Sequence, residues 1–401
     1  MKKTEKRKTL KKRSSKSFLL NTFDWPAEIS LYFGFTPITS PTIEKEDVFA
    51  ARSFGKTSEN LTPFEPRYEE KSSLLRMYVE RDFSSLPHPL LLEYHRPTPR
   101  GTSKTYGATE IGLDVLGLSS PCAEAIVIRT ACSILEEAGF DNLELSINSI
   151  GDKESIAEFE RGLVSFIRKN INEMPAELRK TVKQNPFELL LSKEAKWDKW
   201  REEAPKSINF LSESSRAHFK EFIEYTEALG FNYRISPNLI GNPKFCSHTV
   251  FEIISETNSG PVTLAYGYRY ERISKRAGLK RELPALSLSL SFKETKKRKK
   301  KLSKGISRAR FYLVQIGYAA KLKTLNTIES LRKARIAVVH SIAKDKLSSQ
   351  MSAAENFKTS HVIIIGQKEA VEDSIVVRDN ETRIQETLPI SELASYLKKL
   401  K

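Results

Sequence analysis

Cysteine is scarce in this 401-residue chain. Cys122, Cys132 and Cys246 are an odd number, and no two of them form a C-x-x-C pair. That excludes a disulfide framework and a cysteine-built zinc site, and it suits a reducing cytoplasm. No run of about 18 apolar residues occurs, so nothing reads as a membrane span. A glycine-rich phosphate loop and a nucleophile elbow are also missing. His88, His95, His218, His248, His340 and His361 show no two-histidine helix spacing, so they are read as core or surface residues and no metal is expected. What remains is a chain with 39% hydrophobic and 29% charged residues. That is the composition of a folded globular protein of two or three domains.

The charge is unevenly placed. Residues 1–16 carry +8 and residues 293–310 carry +9, which leaves the rest of the chain at −1 against a total of +16. Focused positive charge attracts polyanions, because neutralised phosphates release their counterions. Nucleic acid is therefore the first partner to consider. The plainer alternatives are a solubilising tail for residues 1–17 and a charged linker at 293–310. No apolar core of a secretory signal follows the basic start.

Between these segments the pattern predicts structure. Apolar residues over 18–33 read as a helix ending at Gly34, followed by a strand near Phe35–Ser40. GATEIGLDVLG (107–117) alternates as a half-buried strand through Ile111, Leu113 and Val115. A helix follows in SSPCAEAIVIRTACSILEEAGF (119–140), with Ser120 as the expected N-cap, Pro121 at its first position and Gly139 as its stop. LELSINSIG (143–151) is another strand. Residues 152–235 are charged and helical in period, as an insertion would be, and strands resume at 249–256, 262–270 and 283–292. Residues 18–292 thus read as an antiparallel-rich α+β domain interrupted by helices. From 311 to 401, strands alternate with helices of 10–15 residues, which indicates a small α/β domain.

Taken in order, these segments resemble the histidyl-tRNA synthetase family of class II aminoacyl-tRNA synthetases. GFTPITSPTIE (34–44) is similar to the first class II motif, with Pro41 at the dimer-interface proline. EIGLDVLGLSSPCAEAIVI (110–128) matches the strand–turn–helix after the second motif, including Pro121, Ala123 and Glu124. LEEAGFDNLELSINSIGD (135–152), QNPFELLLSK (184–193), TVFEI (249–253) and YGYRYE (266–271) fall where the family has its next helix and strand, its helical insertion and its pocket strands. LRKARIAVVHS, KDKLSSQMSAAE, HVIIIGQKEA and VVRDNETRIQETLP resemble its anticodon-binding domain. The likeness spans roughly residues 18–401. It implies a class II antiparallel sheet with a helical insertion at about 152–235, then an anticodon-binding domain at 311–401. It also implies a homodimer through the class II core, a cytoplasmic setting, and tRNA or another structured RNA as partner. Lys296, Lys297, Arg298, Lys299, Lys300 and Lys301 would add phosphate contacts, and Gln350, Arg378 and Arg383 would line the RNA-reading face with Lys346.

The same resemblance implies adenylation of histidine by ATP with magnesium, which needs arginines against the developing α-phosphate charge. Here the sequence departs from the family. Anchoring the family's Arg-Pro pair on Arg96-Pro97 puts Glu93 at the arginine position and His95 at the glutamate position. On the return strand, Tyr106, Gly107, Ala108, Thr109 and Glu110 stand where the family has Arg-Glu-Phe-x-Gln. In the third motif, Ser287 and Ser291 replace glycines and Glu294 falls at the arginine. Gly241, Asn242, Pro243, Lys244, Phe245 and Cys246 replace the histidine signature. One lost transition-state donor costs about 10²–10³ in rate, and a carboxylate facing phosphates is worse. The expectation is a degenerate ATP and histidine site with no catalytic residues. No cofactor is expected, ATP and magnesium entering only if the site works. The competing readings are an active histidine–tRNA ligase with a rearranged site, a regulatory subunit such as the synthetase-like partner of ATP phosphoribosyltransferase, and an uncharged-tRNA sensor.

Overall fold

The computed structural model describes residues 19–20, 22–52, 66–97, 108–192, 194–257, 260–275, 277–293 and 309–400. The chain enters through helix α1 (Trp25–Tyr32), which Asp24 caps by accepting from the Ala27 amide. Strand β1 follows, and it is shorter than expected: only Thr36–Pro37 joins the sheet. Pro37 and Pro41 have no N–H to give a ladder, so the edge stops there. Helices α2 (Lys45–Arg52) and α3 (Tyr68–Glu80) come before the hairpin of β2 (Leu90–His95) and β3 (Thr109–Leu116).

Helix α4 (Cys122–Ala138) runs where the sequence places it and ends at Gly139, whose φ of 100° suits glycine. Its start differs from expectation. Pro121 occupies the cap position with helical angles and no side-chain cap, so Ser120 lies one residue outside. After β4 (Leu143–Gly151) come the insertion helices α5 (Lys153–Asn170), α6 (Ala176–Gln184), α7 (Glu188–Leu191), α8 (Asp198–Glu203) and α9 (Glu213–Leu229). A short exposed strand, β5 (Asn232–Ile235), ends a region that reads as helical in the sequence. Strands β6 (Ser247–Thr257), β7 (Gly260–Arg269) and β8 (Ala285–Phe292) complete the sheet.

The sheet order is β1-β2-β3-β8-β7-β6-β4-β5. The six inner strands pair antiparallel, and β1 and β5 join the two edges in parallel. Alternation along each strand gives this sheet two different faces. Ile111, Leu113, Val115, Leu286, Leu288 and Leu290 pack with α4 in one apolar core. Leu92, Tyr94, Tyr266, Tyr268 and Tyr270 belong to a second core with α3 and α5 to α8.

The C-terminal sheet has the order β10-β9-β11-β12-β13. Strands β9 (Phe311–Gln315), β10 (Val338–His340) and β11 (His361–Ile365) are parallel, whereas β12 (Ser374–Asp379) and β13 (Gln385–Pro389) are antiparallel. Helices α10 (Tyr318–Lys333), α11 (Leu347–Phe357), α12 (Gln367–Glu372) and α13 (Leu393–Lys399) complete it. This unit is tied to the first. Leu325, Ile328 and Leu331 of α10 share the core of α4. Ser133 donates to Glu329 at 2.9 Å, and Arg332 donates to both Glu329 and Glu137. No helix among the described residues is long and apolar enough to cross a membrane.

Candidate functional site

The second face of the eight-stranded sheet is where α3 meets β2, β3 and β7, and it is filled with paired charges. Lys71 projects from α3 into the middle of that face and is fully buried. Its ammonium donates to Glu70 Oε1 at 2.9 Å, Asp114 Oδ2 at 2.9 Å and the Tyr94 hydroxyl at 2.8 Å. Arg96, just past β2, donates from Nε to Glu70 Oε2 at 3.0 Å. Arg67 reaches Glu110 Oε2 at 2.7 Å. Lys71, Arg96 and Arg67 therefore balance Glu70, Asp114 and Glu110, and each ion has a partner, as a buried charge requires. Burial alone pushes the Glu70 carboxyl up, but Arg96, Lys71 and Arg67 outweigh it and hold it at about 2.

Aromatic rings close the rest of the face. Phe245 lies parallel to Tyr270 with ring centres 6.1 Å apart, and tilted against Tyr68 at 4.3 Å. The Tyr270 hydroxyl donates to Asp114 Oδ1 at 2.7 Å. Gly112 makes this arrangement possible, since a Cβ there would stand 2.6 Å from the Tyr94 ring. Cys246 is buried beside Phe245, and burial raises its thiol pKa. Gly241 packs so closely that a Cβ would lie 2.8 Å from Cys246 Cβ. These three positions belong to the packing of the filled face.

Glu93 and His95 require a correction. Glu93 pairs with Leu113 and His95 with Ile111, both residues of the α4 face. By alternation their side chains point away from the face that holds Tyr94 and Asp114. Glu93 is buried there; burial, then the neighbouring Asp24 carboxylate, push it up to about 8. His95 instead pairs with Asp24 at 2.9 Å. Glu93 therefore lies on the opposite face of the sheet from Lys71 and its acceptors. Glu110 does lie on that face, as the partner of Arg67. Tyr106 and Glu294 lie outside the described residues.

Lys71 and Asp114 were the residues that sequence reasoning missed. Two signals mark them: the consecutive charges Glu69, Glu70 and Lys71 in the first turn of a helix that also carries Leu74, Leu75, Met77 and Tyr78, and an aspartate inside the run Ile111–Leu116. Both are features that a solvent face would also show.

A cavity of about 530 Å³ opens elsewhere, between the start of α4, α9 and the ends of β6 and β7. His218 and His248 line it with ring centres 5.0 Å apart, on Glu124 at 3.2 Å and Glu271 at 3.4 Å. Behind them Arg269 grips Glu124 through Nε at 2.7 Å and Nη2 at 2.6 Å. No group of three or more His, Cys, Asp or Glu that could hold a metal occurs among the described residues.

On the C-terminal unit, Gln350 is also corrected. It is fully buried, donating to the carbonyls of Gln315 and Lys344 and accepting from the Gln315 amide, so it is not available to RNA. Arg383 is exposed in the turn between β12 and β13, and Arg378 is half-buried on β12. Lys296, Lys297, Arg298, Lys299, Lys300 and Lys301 lie outside the described residues.

Residues 312–400 match the anticodon binding domain family. Over 391 residues, 91% of each chain, the sequence is 27% identical to the histidine–tRNA ligase of Bacillus subtilis (strain 168). It is 28% identical over 345 residues to that of Bacillus licheniformis, covering 83% of this chain and 80% of the relative. These matches support membership of the histidyl-tRNA synthetase family. The fold agrees: the crystal structure of apo S. aureus histidyl-tRNA synthetase superposes over 92% of each chain with a TM-score of 0.50 at 22% identity. The eight-stranded, mainly antiparallel sheet and the C-terminal α/β unit match a class II synthetase-like fold.

Proposed function

We propose that this chain is a cytoplasmic, homodimeric histidyl-tRNA synthetase-like protein that binds tRNA or another structured RNA without charging it. The observation that carries this reading is Lys71. Its ammonium and three acceptor side chains occupy the face on which a class II enzyme would seat its substrates, and all four are buried. A ligand entering there has to break a balanced ion network, and breaking such a network by removing one partner costs about 3–5 kcal/mol. The test is histidine-dependent ATP–pyrophosphate exchange with the full-length chain. Exchange is expected to lie at least about 10³-fold below that of a working ligase. Turnover at ordinary ligase rates would make the protein an enzyme with a site that opens.

The RNA part of the proposal rests on the anticodon binding domain match and on the charge concentrated at 1–16 and 293–310. Affinity for tRNA is expected to fall steeply with salt. Neutralising residues 296–301 should reduce the slope of log K against log salt by roughly 0.7–0.9 for each phosphate that is no longer neutralised. Filter binding between low and moderate salt measures it, and a flat salt profile refutes this assignment.

A further inference from the structure

We propose that the filled face is a receptor for a primary ammonium ion that is occupied by the chain's own Lys71, so that a chain lacking this amine takes up a small alkylammonium ion in its place. This goes beyond the lack of charging activity, although it shares the observation of the filled face. Its readout is ligand binding, so the two proposals fail separately.

The shell has the features of a receptor. An ammonium has three N–H donors, and Lys71 Nζ meets three acceptors at 2.8–2.9 Å: Glu70 Oε1, Asp114 Oδ2 and the Tyr94 hydroxyl. The ring of Tyr270 stands with its centre 5.8 Å from the nitrogen, within the range of a cation–π contact.

The acceptors are also held independently of the lysine. Asp114 is oriented by the Tyr270 hydroxyl, and Glu70 by Arg96. The Tyr94 hydroxyl lies 3.0 Å from Glu70 and 2.8 Å from Asp114, ready to donate to either. Removing the amine therefore leaves a preorganised, anionic cage. Stability alone does not call for such a cage, since buried ion pairs replaced by well-packed apolar side chains are often neutral or stabilising. The same face also carries the hydroxyls of Tyr268, Ser287 and Ser289, which are buried and have no hydrogen-bond partner. Polar groups left unpaired in this way belong to a place built for a polar guest more than to a core built for packing.

The missing atoms define the guest. Lys71→Ala removes the side chain from Cγ to Nζ, which has the size and charge of propylammonium. The experiment uses the full-length Lys71→Ala protein, with its thermal midpoint followed against propylammonium. Propanol, tetramethylammonium and potassium chloride serve as controls for shape, for charge without N–H donors, and for ionic strength. Propylammonium is expected to raise the midpoint saturably by about 3 °C or more. The controls, and the wild-type chain, should show no such rise.

If Lys71→Ala does not fold unaided, refolding in propylammonium is the readout, and recovery of folded protein with this ion alone supports the site. Lys71→Ala combined with Asp114→Asn should lose the response, because one of the three acceptors no longer carries charge. Equal effects from potassium or propanol, a response that survives the Asp114→Asn change, or no recovery in any amine would each overturn the proposal.

Discussion

Replacing Arg269 with leucine is expected to lower the unfolding free energy by about 3–5 kcal/mol, the cost of leaving one member of a buried ion pair alone. The pair is unusually complete. Arg269 is 1% exposed and donates to both Glu124 oxygens, while two more of its N–H groups reach the carbonyls of Leu118 and Ser120 at 3.0 Å. Removing it strands a carboxylate that keeps only Thr249 at 2.5 Å and His218 at 3.2 Å, together with two carbonyls at the start of α4. Burial pushes the Glu124 carboxyl up, but Arg269, then His218, hold it well below the ordinary range. A depressed carboxyl contributes stability above its unfolded pKa and loses it as the pH falls through its folded value. The wild-type chain should thus weaken in acid through this group, and Arg269→Leu should flatten that part of the profile. Adding Glu124→Leu to Arg269→Leu is expected to recover most of the loss, since neither charge then remains buried. Urea unfolding of the two single variants and the double variant gives the coupling directly. Additive losses would mean that the two side chains act independently.

The second large effect concerns Glu93 and has the opposite sign. Its carboxyl is 1% exposed, one oxygen has no hydrogen-bond partner, and its pKa stands at about 8. Burial is the main cause and the Asp24 carboxylate at the cap of α1 adds to it, while His95 works the other way. A group whose folded pKa exceeds its unfolded value binds a proton more tightly when folded. Stability therefore falls as the pH rises from the unfolded carboxyl pKa of about 4.3 to about 8, by roughly 1.4 kcal/mol per unit at most. Glu93→Gln removes the titration. The variant and wild type should be about equally stable near pH 4.5 and diverge by about 4 kcal/mol near pH 8, with the variant the more stable. Denaturant midpoints from pH 5 to 8.5 measure this. Parallel curves would place an ionised, solvated Glu93 in the folded protein.

The sequence announced the scaffold more clearly than the chemistry. Ile111, Leu113 and Val115 alternate, and Gly139 stops α4 with a positive φ, because period and backbone conformation are local properties. Strand β5 stayed hidden because Tyr233 and Ile235 alternate over only four residues directly after a long helix, and β13 because its residues show no apolar alternation. The side on which a residue lies is a matter of register. Aligning Glu93 beside Arg96 by sequence ignores the single-residue parity that turns it toward α4. Gln350 looked like a reader of bases because glutamine is polar, and the fold uses all of that polarity on the backbone around β9. Lys71 was hidden for a related reason: a lysine on a helix is ordinarily solvated, and only the meeting of α3 with β2 and β3 reveals an ammonium without water.

The seam between the two sheets has a mechanical meaning. With Leu325, Ile328 and Leu331 seated among the side chains of α4, and Arg332 anchored across the boundary, the C-terminal unit has no free swivel. Heating should give one endotherm, not two. Any torque that a bound RNA applies to the small sheet would turn the large one with it, so the chain would deliver its cargo as a single stiff body.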